Sequence, residues 1–143
     1  MIYRDIKYNE LDKIAEIERN IFKEEAYSID IIKDLYFHAD FFIVAATDDE
    51  IIGYIIGEVR GGSGHIITIA VKEEYRGRGI GSRLLGRFIK FVRKKGGNRI
   101  YLEVATSNIE AIKFYSKHGF KVIRILPKYY KSGEDAYLME LRL

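Results

Sequence analysis

The sequence predicts an α+β chain in α/β/α layers, built on a mixed, mostly antiparallel sheet of about seven strands with one parallel β-α-β crossover. Two observations carry this. Short β-branched runs alternate with stretches of helical periodicity in the order β α α β β β α β α β β. Between the runs at His65–Val71 and Arg99–Ala105 stands a long helical pattern, Ile80–Lys95, so those two strands are expected to lie parallel with a right-handed connection.

Ile2–Lys7 reads as the first strand. Asn9 stands where a cap belongs, ahead of a helix to Lys23 whose Leu11, Ile14, Ala15, Ile17, Ile21 and Phe22 fall near helical spacing. Ser28 caps a shorter helix through Ile31, Ile32, Leu35 and Tyr36. Phe41–Thr47 and Ile51–Val59 form a hairpin around Asp48-Asp49-Glu50. Gly61-Gly62-Ser63-Gly64 reads as a flexible loop before the strand at His65. In the helix from Ile80, Leu84, Leu85, Phe88, Ile89 and Val92 share a face, Arg93-Lys94-Lys95 suit the negative end, and Gly96-Gly97 stop it. Ser107, with Glu110 three places on, reads as a capping box for a helix ending at His118-Gly119. Phe120–Leu126 and Ala136–Leu141 are the last strands, linked across Tyr129–Asp135.

No linker, repeat or low-complexity run interrupts the 143 residues, so a single domain over residues 1–143 is expected. The absence of cysteine excludes disulfides, zinc–thiolate sites and an acyl-cysteine intermediate, and it fits a reducing cytoplasm. His38, His65 and His118 are dispersed and suggest no metal ligand set. The start does not read as a signal peptide and no apolar run is long enough to span a membrane, so a cytoplasmic location is expected. Charge is uneven: residues 1–60 carry a net −7 and residues 61–143 a net +10. A basic half suits an anionic cofactor, with nucleic acid as its rival, and an acidic half suits a cationic substrate.

The chain is organised around Tyr75-Arg76-Gly77-Arg78-Gly79-Ile80-Gly81-Ser82, a glycine-rich turn between a strand and a helix. A helix start presents unpaired N–H groups and partial positive charge, which is where phosphates bind. Arg76, Arg78 and Arg83 surround this positive end, and no Asp or Glu occurs from Tyr75 to Lys95. Cations there oppose the helix dipole, and an anionic ligand resolves the conflict. The segment lacks the Gly-Lys-Ser/Thr ending of a P-loop and the third glycine of a dinucleotide fingerprint.

Glu103 is the most unusual carboxylate, since it sits in mid-strand in Ile100-Tyr101-Leu102-Glu103-Val104-Ala105. A glutamate there loses hydration, which makes it a candidate general base; a solvated strand face or a basic neighbour are the alternatives. Asn108, Ala111, Ile112 and Tyr115 fall on one helical face, with Asn108 able to bond a ligand amide and Tyr115 able to donate a proton, or else to pack as a core aromatic.

Four motifs occur in one order: Arg76-x-x-Gly79-x-Gly81, Leu102-Glu103-Val104, Asn108-x-x-Ala111-x-x-x-Tyr115-x-x-x-Gly119-Phe120, and Tyr129-Tyr130-x-x-Gly133-Glu134-Asp135-Ala136-x-x-Met139. Together they resemble the RimI-like N-α-acetyltransferases of the GNAT superfamily. The resemblance implies the GNAT fold and transfer of acetyl from acetyl-CoA, a co-substrate, to the terminal amine of a protein or peptide. It implies cofactor contacts at Ile69, Ala70, Val71, Arg76, Gly77, Arg78, Gly79, Ile80, Gly81, Ser82, Asn108 and Tyr115. It points to Glu103 as base through water, Tyr115 as acid toward the departing thiolate, and Phe22, Tyr27, Tyr129 and Tyr130 as substrate contacts. No metal, membrane or nucleic acid is called for. The family's Pro-Trp or Pro-Tyr between the first helices is absent, with Ala26 in the proline's place. Lysine side chains or small amines stay open as alternative acceptors.

Overall fold

The computed structural model describes all 143 residues, Met1–Leu143. Strand β1 (Ile2–Asp5) leads through a 3-10 turn at Tyr8–Glu10 into helix α1 (Leu11–Phe22). The expected cap, Asn9, lies inside that turn. Glu10 shapes it instead, accepting from Lys7 N at 3.0 Å and pairing with both prongs of Arg4 at 2.9 and 2.7 Å. Helix α1 buries Leu11, Ile14, Ala15 and Ile17, together with Glu18. A second 3-10 turn, Lys23–Glu25, follows. Ser28 then caps helix α2 (Ile29–His38), its hydroxyl accepting from Ile31 N at 3.3 Å.

Strands β2 (Phe41–Ala46) and β3 (Ile51–Arg60) pair antiparallel, and Thr47 Oγ1 pins their turn by accepting from the amides of Asp49 and Glu50. Strand β3 is buried without a break from Ile51 to Gly57, the pattern of a strand covered on both faces. Strand β4 (Ser63–Val71) starts earlier than its β-branched run suggests. Gly61 and Gly62, at φ 54° and 82°, complete the turn by themselves, so Ser63 and Gly64 enter the sheet opposite Arg99 and Ile100.

Helix α3 (Ile80–Lys94) buries Leu84, Leu85, Phe88 and Val92 completely. Strand β5 (Arg99–Ala105) alternates, with Ile100, Leu102 and Val104 buried and Arg99, Tyr101 and Glu103 half-buried on the other face. Asn108, not Ser107, caps helix α4 (Ile109–Lys117), its Oδ1 accepting from Ala111 N at 3.2 Å. Strands β6 (Lys121–Leu126) and β7 (Ala136–Arg142) pair antiparallel around a bulge between Val122 and Arg124.

The sheet runs β1-β2-β3-β4-β5-β7-β6, so β7 enters between β5 and β6. Strands β4 and β5 are parallel, as the crossover requires, and β1–β2, β2–β3, β5–β7 and β6–β7 are antiparallel. This is the mixed sheet expected of the sequence. Strand β6 is its outer member, exposed from Lys121 to Ile125.

Two compact units divide the chain, one of Met1–Glu58 with Ile66–Phe91, the other of Val59–His65 with Val92–Leu143. In the first, Leu11, Ile14, Ile32, Val44, Tyr54 and Ile56 anchor one apolar core. In the second, Val92 is clasped by two glycines: a Cβ on Gly64 or Gly97 would stand 2.6 or 2.4 Å from its methyl groups. No helix is long and apolar enough to cross a membrane.

Candidate active site

The first unit carries the glycine-rich turn. Strand β4 ends at Ile69-Ala70-Val71, a 3-10 turn at Glu73–Tyr75 reverses the chain, and α3 begins at Ile80. Gly77 and Gly79 hold φ of 78° and 82°, conformations that side chains resist, and a Cβ on either would meet no protein atom within 4 Å. The space beside both glycines is therefore open. At this end of the helix Arg83 N donates to Gly79 O at 3.1 Å, and the amides of Ile80 and Gly81 stand in the first turn. The arginines are less free than their spacing suggests. Arg76 Nε donates to Val71 O at 3.0 Å, and Arg78 stacks on the Tyr75 ring at 5.1 Å. Tyr75 in turn donates its hydroxyl to Glu50 at 3.0 Å, and Lys72 donates to the same carboxylate at 2.8 Å. Those two donors hold the Glu50 carboxyl below the usual range, Lys72 most strongly.

Phe22 and Tyr27 bracket the turn between α1 and α2, both half-buried against the first unit's core. Lys23 begins this turn at φ 55° and ψ −124°, a backbone a lysine adopts only under constraint.

The second unit gathers the other set. Glu103 does not stand alone in its strand: its Oε1 lies 2.7 Å from His65 Nε2, with both side chains largely buried. His65 also stacks flat on Tyr101, ring centroids 4.5 Å apart and planes 5° apart, and the Arg99 guanidinium covers the same Tyr101 ring at 5.2 Å. Sequence reasoning passed over His65 as one of three scattered histidines. The signal was the crossover itself, which sets His65 opposite Tyr101 and so within reach of Glu103.

Tyr115 is 8 % exposed, and burial pushes its phenol well above the ordinary value, with Tyr130 adding to the shift. It therefore keeps its proton across the neutral range and has a hydrogen to donate. Asn108 spends its carbonyl on the α4 cap, which leaves its amide N–H groups for a ligand. Tyr129 and Tyr130 meet edge to face at 5.0 Å, and burial followed by the Glu103 charge raises the Tyr129 phenol. Glu134 and Asp135, part of the motif that followed the tyrosines in the sequence, are structural. Glu134 accepts from Ser107 N at 2.8 Å, and Asp135 accepts from Lys128 N at 2.9 Å, which pins the segment bearing the two tyrosines. No group of three or more His, Cys, Asp or Glu is placed to hold a metal ion.

Residues 8–120 match the acetyltransferase (GNAT) family. An N-alpha-acetyltransferase of Sulfurisphaera tokodaii is 36% identical over 149 residues, covering 95% of this chain and 89% of that protein. The crystal structure of Ard1 from Thermoplasma volcanium, 30% identical, superposes with a TM-score of 0.92 over 99% of this chain and 97% of that one. Arabidopsis thaliana Naa50 in complex with the bisubstrate analogue CoA-Ac-MVNAL, 27% identical, gives 0.83 over 97% and 96%. The glycine-rich turn, the Glu103 strand and the match over most of the chain agree: the protein belongs to the GNAT acetyltransferase family.

Proposed function

We propose that residues 1–143 act as one catalytic domain that transfers acetyl from acetyl-CoA to the α-amine of a protein or peptide N-terminus. The observation that carries the chemistry is the Glu103–His65 contact at 2.7 Å, a carboxylate held in place on a half-buried strand face. The choice of acceptor is supported by the likeness to an N-alpha-acetyltransferase and to a structure holding CoA joined through acetyl to a peptide.

An amine attacks a thioester only when neutral. With reference values of about 8 for a terminal amine and about 10.4 for lysine, about a tenth of the former and under about a thousandth of the latter are neutral at pH 7. Glu103 takes the ammonium proton through a water, and His65 fixes the carboxylate that receives it. The nitrogen then bonds the carbonyl carbon, and amides of Ile69-Ala70-Val71 stabilise the oxygen as it gains charge. The adduct's nitrogen gives its second proton to the bridging water, the carbon–sulfur bond breaks, and the electron pair leaves with sulfur. Tyr115 donates a hydrogen bond to that thiolate. A thiolate is a weaker base than this buried phenolate, so the proton stays on oxygen until the thiolate leaves. The amides of Gly77 to Ser82 with Arg76 and Arg78 receive the pyrophosphate, Asn108 bonds a pantetheine amide, and Phe22, Tyr27, Tyr129 and Tyr130 contact the acceptor. The activity calls for protein N-termini and acetyl-CoA in one compartment, the cytoplasm.

The test is mass spectrometry of acetyl-CoA turnover on free-amine peptides, N-terminally blocked lysine peptides and polyamines. Acetylation of the free-amine peptides alone is expected. Equal use of a blocked lysine peptide and its free-amine counterpart would overturn the assignment of acceptor.

A further inference from the structure

Glu18 is 2 % exposed, and its carboxylate is filled by three neutral donors from three segments. The Tyr54 hydroxyl of β3 and the Thr68 hydroxyl of β4 donate to Oε1 at 2.6 and 2.8 Å, and the Tyr27 amide of the α1–α2 turn donates to Oε2 at 3.0 Å. Such a network is a poor way to gain stability, since apolar side chains of similar volume do as well or better in a core. What it supplies is geometry. The turn it grips opens on the constrained backbone of Lys23 and closes on the Ser28 cap, so its middle is fixed from below by one side chain. Thr68, at the other side of the carboxylate, immediately precedes Ile69-Ala70-Val71.

We propose that Glu18 is a positioning residue for the acceptor: it locks the Phe22–Ser28 turn to strand β4 and thereby sets how well the acceptor is bound. The proposal rests on the reading that Phe22 and Tyr27 contact the acceptor. Glu18 touches neither substrate, so its signature is a change in acceptor KM at constant kcat and constant acetyl-CoA affinity.

Glu18→Asp keeps the charge but is one methylene short of reaching all three donors. It is expected to release the Tyr27 amide to hydrogen exchange and to raise acceptor KM about tenfold, with kcat and acetyl-CoA Kd within about twofold. Glu18→Gln is expected to rescue both readouts. Its carbonyl can turn to Tyr27 while its amide meets two hydroxyls that accept as well as donate. Glu18→Asp with a released Tyr27 amide and an unchanged KM overturns the proposal, as does a parallel loss of KM, kcat and acetyl-CoA binding. Should Glu18→Asp not fold, Tyr54→Phe, which removes one hydroxyl anchor of the carboxylate, decides by the same pairing: a loosened Tyr27 amide with a raised KM supports the proposal, and a wild-type KM with that amide loosened, or no loosening at all, overturns it. Wild-type protein that acetylates only lysine or polyamines overturns the functional reading instead, and the same pairing of Tyr27 exchange with KM, measured on that amine, still tests the tether.

Discussion

His65 Nε2 and Glu103 Oε1 are 2.7 Å apart on parallel neighbouring strands, and Tyr101 backs the imidazole with its whole ring. A general base is worth about 10²–10⁴-fold, so Glu103→Gln should lower kcat by about 10²-fold or more without unfolding the protein. His65→Ala should give a smaller fall, because the carboxylate stays but loses its orientation. Steady-state kinetics on the two variants and their double mutant check this: effects that multiply independently would show that the pair does not act as a unit.

Gly79→Asp should abolish CoA binding. The protein leaves open space around that position, so the loss comes from negative charge and from a side chain at φ 82° rather than from a clash within the chain. Gly79→Ala carries only the conformational part, about 1–2 kcal/mol. Calorimetric titration with CoA should show the aspartate variant losing at least tenfold more affinity than the alanine variant.

Tyr115→Phe should retain the fold and slow turnover about 10- to 100-fold, the worth of one hydrogen bond to a charged sulfur. The raised phenol keeps its proton well past the ordinary tyrosine range. Wild type and Tyr115→Phe should therefore share the same alkaline limb up to about pH 10, the reference tyrosine value. A wild-type rate that falls with a limb absent in Tyr115→Phe would contradict the assigned protonation state.

Glu134 sits below the ordinary carboxylate range because Ser107 donates to it. Its folded value is depressed, so its contribution to stability is complete above the unfolded value of about 4.3 and is lost as pH falls through the folded one. Melting temperatures of wild type and Glu134→Ala should differ at pH 7 and converge in acid.

Gly64→Ala should destabilise by about 1–3 kcal/mol, because the new methyl would stand 2.6 Å from a Val92 methyl and 3.2 Å from Ile100. Val92 is β-branched and fully buried, so it has no rotamer to retreat to. Adding Val92→Ala should recover part of the loss, which chemical denaturation can measure.

The element order, the crossover and the glycine-rich turn were legible because they rest on local periodicity and on glycine's freedom in φ. The two helix starts slipped where another side chain intervened. Glu10, paired with Arg4, inserted a turn where Asn9 promised a cap, and Glu134 took the Ser107 amide while Asn108 capped α4. The site was legible in part. Glu103 stood out as a charge in an apolar run, but His65 acquires meaning only from strand register, and the buried Glu18 only from three donors spread over Tyr27, Tyr54 and Thr68.

Strand β6 closes the sheet with one row of backbone groups facing no further strand, and Val122, Ile123 and Ile125 are each about half exposed along it. An apolar margin of that kind invites a second chain to extend the ladder. Lys121 and Arg124 stand in the way as gatekeepers, since an incoming strand must bury them, and the bulge between Val122 and Arg124 spoils the straight template it would need. Lys121, Arg124 and the bulge, none of them among the residues assigned to acetyl transfer, are thus expected to guard this edge, so that changes there alter solubility before they alter turnover.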